Sequence, residues 1–287
     1  MSETEIRLTE DDDLTAIGYV NKKLYVGMFE RLAVVAAAKP KTVAKLADGC
    51  GAIVGSPNGK SIVFSHGKKV VALDSTSLKK TGEWSVPGEG ATSMAFSPGG
   101  DVVLVVASNE GGAFRAFAPG EKKPRFSGAG IRYALVAWLD AERFASACVH
   151  GTSSYFTIHG SKGKELSHFG SLPRIEALAS HAGSVYAGTA KGLLRLDLDE
   201  RPLDKPAKSE EVWSGAKVNA ITPIEEGFAL ATEGGVFLVG VGAKRSSKQV
   251  GERPAALVAT TAKKLAYVHR TTRADRSIES HLFEVTL

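Results

Sequence analysis

The stretch Ala91–Gly120, ATSMAFSPGGDVVLVVASNEGGAFRAFAPG, reads as three β-strands separated by two tight turns. The first strand, around Met94–Phe96, stops at Ser97-Pro98-Gly99-Gly100, where proline presets φ and glycine supplies a positive one. Asp101–Ala107 is almost wholly β-branched or aliphatic and only seven residues long, which suits a buried strand better than a helix. Asn109-Glu110-Gly111-Gly112 turns the chain again, and Ala113–Ala118 supplies the third strand.

The same phrase recurs. Marking the centre of each first strand gives Ile17, Ile53, Ala95, Ala137, Ala177, Ala220 and Leu257, spaced by 36, 42, 42, 40, 43 and 37 residues. A period near 40 is the signature of a propeller or solenoid. Each unit adds a second strand, such as KLYVGMF, SIVFSH or SVYAGTA, and a third, such as KVVALDS or GLLRLDL. Most close with a more polar fourth, for example Thr42–Ala47, Gly82–Val86, Glu165–Phe169 or Glu211–Ser214. Apolar inner strands and a polar outer one describe a four-stranded blade. The expected fold is therefore all-β, a single seven-bladed β-propeller with blades at roughly 14–48, 51–87, 91–128, 132–170, 174–215, 217–251 and 253–287. The last unit ends at Leu287 after three strands, and the strand-like Glu3–Thr9 precedes the first unit. Pairing that N-terminal strand into the last blade closes the ring and covers two free edges.

Two hairpins carry a resemblance. Ala95-Phe96-Ser97-Pro98-Gly99-Gly100-Asp101, with a second copy at Ser56-Pro57-Asn58-Gly59-Lys60, resembles the hairpin between the first and second strands of WD40-like β-propellers. Val185–Leu196, VYAGTAKGLLRL, is similar to propeller repeats more broadly. The Gly-His and Trp-Asp pairs typical of WD40 repeats are missing from every unit, and Trp84, Trp138 and Trp213 do not occupy that dipeptide. The resemblance implies a scaffold that holds partner proteins on the rim of a rigid disc.

Composition narrows the function. The 36 basic and 31 acidic residues leave a net charge of +5, too weak by itself to imply a nucleic-acid ligand. No apolar run approaches the ~18–20 residues of a membrane span, and the acidic, polar N-terminus is unlike a signal peptide. Cys50 and Cys148 fall in different repeats with no metal-ligand spacing. They read as reduced thiols of a cytoplasmic protein, monomeric on its own. There is no G-x-S-x-G elbow, Walker A loop, G-x-G-x-x-G or H-E-x-x-H, and Gly240–Lys244 lacks the helix a phosphate loop needs. No cofactor, metal or catalytic residue is expected.

The candidate site residues come from loop positions. His66 and His150 sit at matching places, in SHG and VHG, and Glu110, Lys191 and Glu233 likewise precede a glycine between second and third strands. Arg132, Arg174, Lys217 and Arg253 stand just before innermost strands. In a propeller these loops share a face with those turns, so the four cations form a basic collar toward an acidic peptide or protein partner. Asp11, Asp12 and Asp13 fall on the same face, making it dipolar. Phe29, Phe169 and Trp213 lie near strand ends as candidate rim anchors, and Arg270–Arg276, RTTRADR, is a candidate interaction loop.

Two other readings compete with a protein-interaction scaffold. One is a lactonase-like propeller enzyme, or a small-ligand site, at the central funnel; it needs acid, base or metal groups converging at the axis. The other uses the opposite face, where Lys39, Lys41, Lys79, Lys80, Lys122, Lys123, Lys162, Lys164, Lys244, Arg245, Lys248, Lys263 and Lys264 recur in basic clusters, with Lys205 and Lys208 in the longest loop. Such a ring suits an anionic surface or phosphates. Few aromatics are interleaved with these lysines for base stacking, which argues against nucleic acid.

Overall fold

The two Ser-Pro turns close in the same way. Ser56 donates its backbone N–H to Ser61, accepts at its own carbonyl from Gly59, and accepts at Oγ from the Ser61 N–H. Ser97 repeats this with Val102 and Gly100. The closing glycines, Gly59 and Gly100, take φ of 69° and 74°, a region open to glycine at little cost. Each turn reverses an inner strand into its hairpin partner, and the hairpin is the unit from which the ring is built.

The structure is a computed structural model that describes residues 3–6, 13–36, 39–86, 90–107, 114–128, 133–198, 208–242, 245–273 and 276–287. Its strands form seven antiparallel sheets of four. The inner strands are Leu14–Val20, Cys50–Gly55, Ala91–Phe96, Tyr133–Trp138, Ile175–His181, Val218–Ile224 and Leu257–Thr260. They contact one another in order around an axis, the last touching the first. This is a seven-bladed β-propeller. The outer strand of blade four, Glu165–Pro173, continues beyond the segment expected from sequence.

Closure follows the expected route. Glu3–Ile6 pairs antiparallel with the last strand, Ile278–Thr286, in register Glu3 with Val285 and Ile6 with Leu282. Ile6 is buried among Leu14, Val268 and Leu282, and Glu3 receives hydrogen bonds from Tyr267 Oη at 2.7 Å and from Arg253. Arg253 also lies 4.3 Å from the centroid of the Phe283 ring. The rest of the expected segment, residues 7–9, lies outside the described residues.

A bulge fixes the blade spacing. In six of the seven inner strands the register slips at the same place, between Leu14 and Ala16, Cys50 and Ala52, Ala91 and Ser93, Tyr133 and Leu135, Ile175 and Ala177, and Val218 and Ala220. A bulge bends its strand and sharpens the twist, and here it also sets the residue that enters the preceding blade. Cys50 and Val218 meet glycines there. A Cβ on Gly27 would fall 2.5 Å from Cys50 Sγ, and one on Gly188 would fall 2.7 Å from Val218 Cγ1. Strand glycines in VGMF and AGTA are thus the holes into which the next blade packs. Gly27→Val is expected to cost about 2–3 kcal/mol by overpacking. Gly242→Ala, where no described residue lies within 4 Å of the added carbon, is expected to leave a urea unfolding midpoint unchanged.

Around the axis the inner strands leave a channel of about 550 Å³. Several carbonyls along this inner ring are capped from neighbouring blades. Trp138 Nε1 donates to Ala95 O at 3.2 Å, Thr222 Oγ1 to Val258 O at 2.8 Å, and Ser180 Oγ to Trp138 O.

Candidate functional site

The face carrying the turns between second and third strands also carries the loops into the inner strands, and backbone bonds tie the two together. Leu46, Val86, Arg174 and Gly215 each donate their N–H to a turn carbonyl of the blade they leave, on Glu30, Lys68, Thr152 and Lys191. At Arg174 this bond seats the cation directly against the turn of blade four.

Each described collar cation has a carboxylate partner. Arg174 holds Glu176 at 3.0 Å and donates from Nη1 to Gly151 O at 3.1 Å. Lys217 lies 3.8 Å from Glu233, whose N–H in turn bonds Lys217 O. Arg253 is bound to Glu3 in the ring closure. These pairs are half-exposed, with side-chain exposures of 51% for Arg174 and 35% for Lys217; ion pairs so placed are worth little and exchange readily. Arg132 and Glu110 lie outside the described residues, as do Asp11 and Asp12. Asp13 accepts from Ser280 Oγ at 3.0 Å.

The turns differ in register. His66 pairs with Lys69 and His150 with Ser153, so both histidines are the last strand residue before a turn, at equivalent places. In blades five and six that place belongs to Thr189 and Thr232, paired with Gly192 and Gly235. Lys191 and Glu233 are central turn residues, at the second and first positions respectively, and are not equivalent to the histidines. The two threonines build identical turns: Thr189 Oγ1 accepts from the Lys191 N–H at 3.2 Å, and Thr232 Oγ1 from the Gly234 N–H at 3.1 Å. Of the two glycines that follow Glu233, the positive φ falls on Gly235, at 128°.

His66 lines an open hollow of about 620 Å³ with Asp48, Gly67, Lys68 and Lys69. Its ring stacks 5.9 Å from Phe64, and Nδ1 is buried with no hydrogen-bond partner among the described residues. Burial first, then the Lys69 charge, pushes its pKa down, against the opposing pull of Asp48. His150 is exposed on blade four, with blade three between the two rings. Among the described residues no cluster of three His, Cys, Asp or Glu could hold a metal ion.

The aromatic anchors separate. Phe29 is 63% exposed at the rim of blade one. Phe169 is buried and stacked 4.3 Å from Phe156, and Trp213 packs on Phe237 at 5.0 Å. Those two side chains belong to the packing because the outer strand of a blade faces its neighbour. Of the Arg270–Arg276 excursion, Arg270–Thr272 end the strand Lys264–Thr272, which pairs with Ile278–Thr286, and residues 274–275 lie outside the described residues; Arg270 Nη2 donates to Leu14 O at 2.6 Å.

On the opposite face, the lysines of the expected ring are exposed wherever they are described; Lys205 and Lys244 lie outside the described residues. Lys80 is held by Glu83 at 3.0 Å, Lys264 by Glu284 at 2.7 Å, and Arg245 by Glu210. That face also opens the axial channel, at a mouth lined by Tyr19, Phe96 and Trp138. The sequence reading had no role for these three together; aligning all units on the bulge brings them into one column, two residues past Ile17, Met94 and Val136. Tyr19 reaches across to blade seven and donates its hydroxyl to Glu284 at 2.7 Å. Burial, and secondarily Glu284, raises its pKa so the phenol stays protonated.

No protein-family model matches the chain, and comparison with curated proteins finds no relative. The likeness to WD40-like proteins is one of architecture, carried by the seven-bladed ring. Among the described residues no helix is long and apolar enough to cross a membrane.

Proposed function

We infer that the chain is a non-enzymatic, cytoplasmic protein-interaction scaffold that presents the turn-and-collar face to an acidic segment of a partner protein. The observation that carries the reading is the pairing of Arg174 with Glu176 and of Lys217 with Glu233 on adjoining blades of a closed ring. These cations already sit against carboxylates, with the geometry an acidic peptide would use. Because the internal pairs are solvent-exposed, an incoming carboxylate can replace them at little cost. The ring supplies rigidity, so the loops lose little freedom on binding. His66, His150, Lys191 and Glu233 supply the surrounding rim, with Phe29 as an apolar contact beside it. Against the funnel-enzyme reading, the described residues lining the channel include no Asp, Glu, His, Lys or Arg.

The test is affinity capture from the native cytoplasm, with Arg174→Glu/Lys217→Glu as the comparison. Arg253 is left intact because it serves the closure. The reversal is expected to weaken retention of a stoichiometric protein partner about tenfold or more, a change of ~1.4 kcal/mol or greater, with an unaltered melting temperature. Retention unchanged by the reversal, or only nucleic acid that washes off with salt, would reject this reading.

A further inference from the structure

The axial channel ends, away from the collar, in a mouth that the partner reading does not use. Its described lining side chains are apolar or hydroxylic, and Tyr19, Phe96 and Trp138 bring three aromatic rings to it. The polar tips of two of these are already occupied, Tyr19 Oη by Glu284 and Trp138 Nε1 by Ala95 O. Ring surface, rather than hydrogen-bonding tips, is what the partly exposed Tyr19 and Phe96 have to offer, while Trp138 is 6% exposed. The volume of about 550 Å³ falls within the range of small-molecule sites.

Charge around this mouth is uneven. The hairpin turns that follow the inner strands of blades seven, one and two carry Lys263, Lys22, Lys23 and Lys60, all exposed. Among the described residues none of the four is in an ion pair, whereas the next lysine, Lys264, is taken up by Glu284. The equivalent turns of blades four and six carry acids: Asp140, bound to Arg143 at 2.7 Å, and Glu225 and Glu226. The mouth therefore combines an aromatic lining with positive charge on the turns of one side and negative charge on those of the other.

We propose that this mouth binds a small aromatic anion, an aryl carboxylate or sulfonate, with its ring among Tyr19, Phe96 and Trp138 and its charge toward the turns of blades seven, one and two. The ring gains burial and stacking. The anion gains from the positive charge of the exposed turn lysines on that side, which a neutral arene would not feel. The site is independent of the collar, so it stands or falls separately from the partner reading.

The test uses two probes that differ in one charged group, 1-anilinonaphthalene-8-sulfonate and the uncharged N-phenyl-1-naphthylamine, titrated into the full chain by calorimetry and fluorescence. The sulfonate is expected to bind one to one. Lys22→Glu/Lys60→Glu/Lys263→Glu is expected to weaken the sulfonate by about tenfold and to leave the amine within about twofold. Pro223→Trp, an exposed position on the channel lining, is expected to weaken both probes by blocking the mouth; Phe96→Ala is the second variant should the first fail to fold. Absence of one-to-one binding, or affinities unchanged by mouth substitution, would overturn the site. Equal loss of both probes in the lysine variant, or no loss of the sulfonate, would overturn its selectivity for an anion.

Discussion

A chain lacking residues 1–6 is expected to melt about 8–15 °C below the intact protein in a calorimetric scan, and to aggregate as it does so. Ile6 is 4% exposed and packed against Leu14, Val268 and Leu282. Removing a buried isoleucine side chain costs about 2–5 kcal/mol, and each kcal/mol moves the melting point of a chain this size by roughly 2–4 °C. The Glu3 contacts to Arg253 and Tyr267 disappear as well. Tyr267 is fully buried as a residue, and its phenol pKa is raised by burial first and by Glu3 second. Deletion also uncovers the edge of Ile278–Thr286, leaving strand edges that recruit other chains. Ile6→Asp should reproduce most of the loss, while Glu3→Gln should cost much less, since its partner Arg253 is half-exposed. An unchanged melting temperature on deletion would mean that the four paired residues decorate the last blade without closing it.

The ring was legible in the chain because its evidence is local. A Ser-Pro turn, a run of β-branched residues and a turn glycine lie within a dozen residues of one another, and repeating them sets the blade count. The closure could be read because a blade short of one strand needs a strand from somewhere. Pairings between distant residues left no such pattern. Arg253 looked like a free collar cation from its place before an inner strand, but its partner Glu3 lies 250 residues away. Glu176 and Glu233 were within reach of Arg174 and Lys217, yet which acid each cation meets is decided by the bonds between loop and turn. The turn residues went out of register for a related reason: an x-Gly pair can occupy the end of a strand, as at His66, or the middle of a turn, as at Lys191. Only the cross-strand partner tells them apart. The aromatic mouth was hidden because its members come from three blades and align only when units are counted from the bulge.

His159 provides the second large effect, on stability against pH. Its side chain is 2% exposed, lying 4.7 Å from Phe144 in a near-parallel stack and 4.9 Å from Phe114 edge-on, with Nε2 2.8 Å from Ser146 Oγ. Burial in this aromatic interface between blades three and four pushes its pKa down to about 4; a hydrogen bond with the Gly163 backbone opposes the shift, and the neighbouring His168 adds to it. In the unfolded chain the imidazole titrates near its ordinary value of about 6.5. Above that pH both states are neutral and the ring's full contribution is present. Between about 6.5 and 4 the unfolded chain takes up a proton that the folded chain refuses, so stability falls steadily with pH. It reaches its floor once the folded ring is also protonated, with a total loss of about 3 kcal/mol. His66 adds a smaller slope of the same sign, since its pKa is also lowered. Carboxylates held down by partners, Glu284 and Asp140 among them, contribute their own loss as pH falls through their folded values. The His159→Phe variant separates these. It keeps an aromatic ring in the stack but leaves Ser146 Oγ without this partner, so it should be somewhat less stable at pH 7 by about 1–2 kcal/mol. Its urea midpoint should then fall much less between pH 6.5 and 4 than that of the native chain. Parallel pH profiles for the two proteins would show that the imidazole is protonated in the folded state across this range, and that the blade interface is wetter than its packing implies.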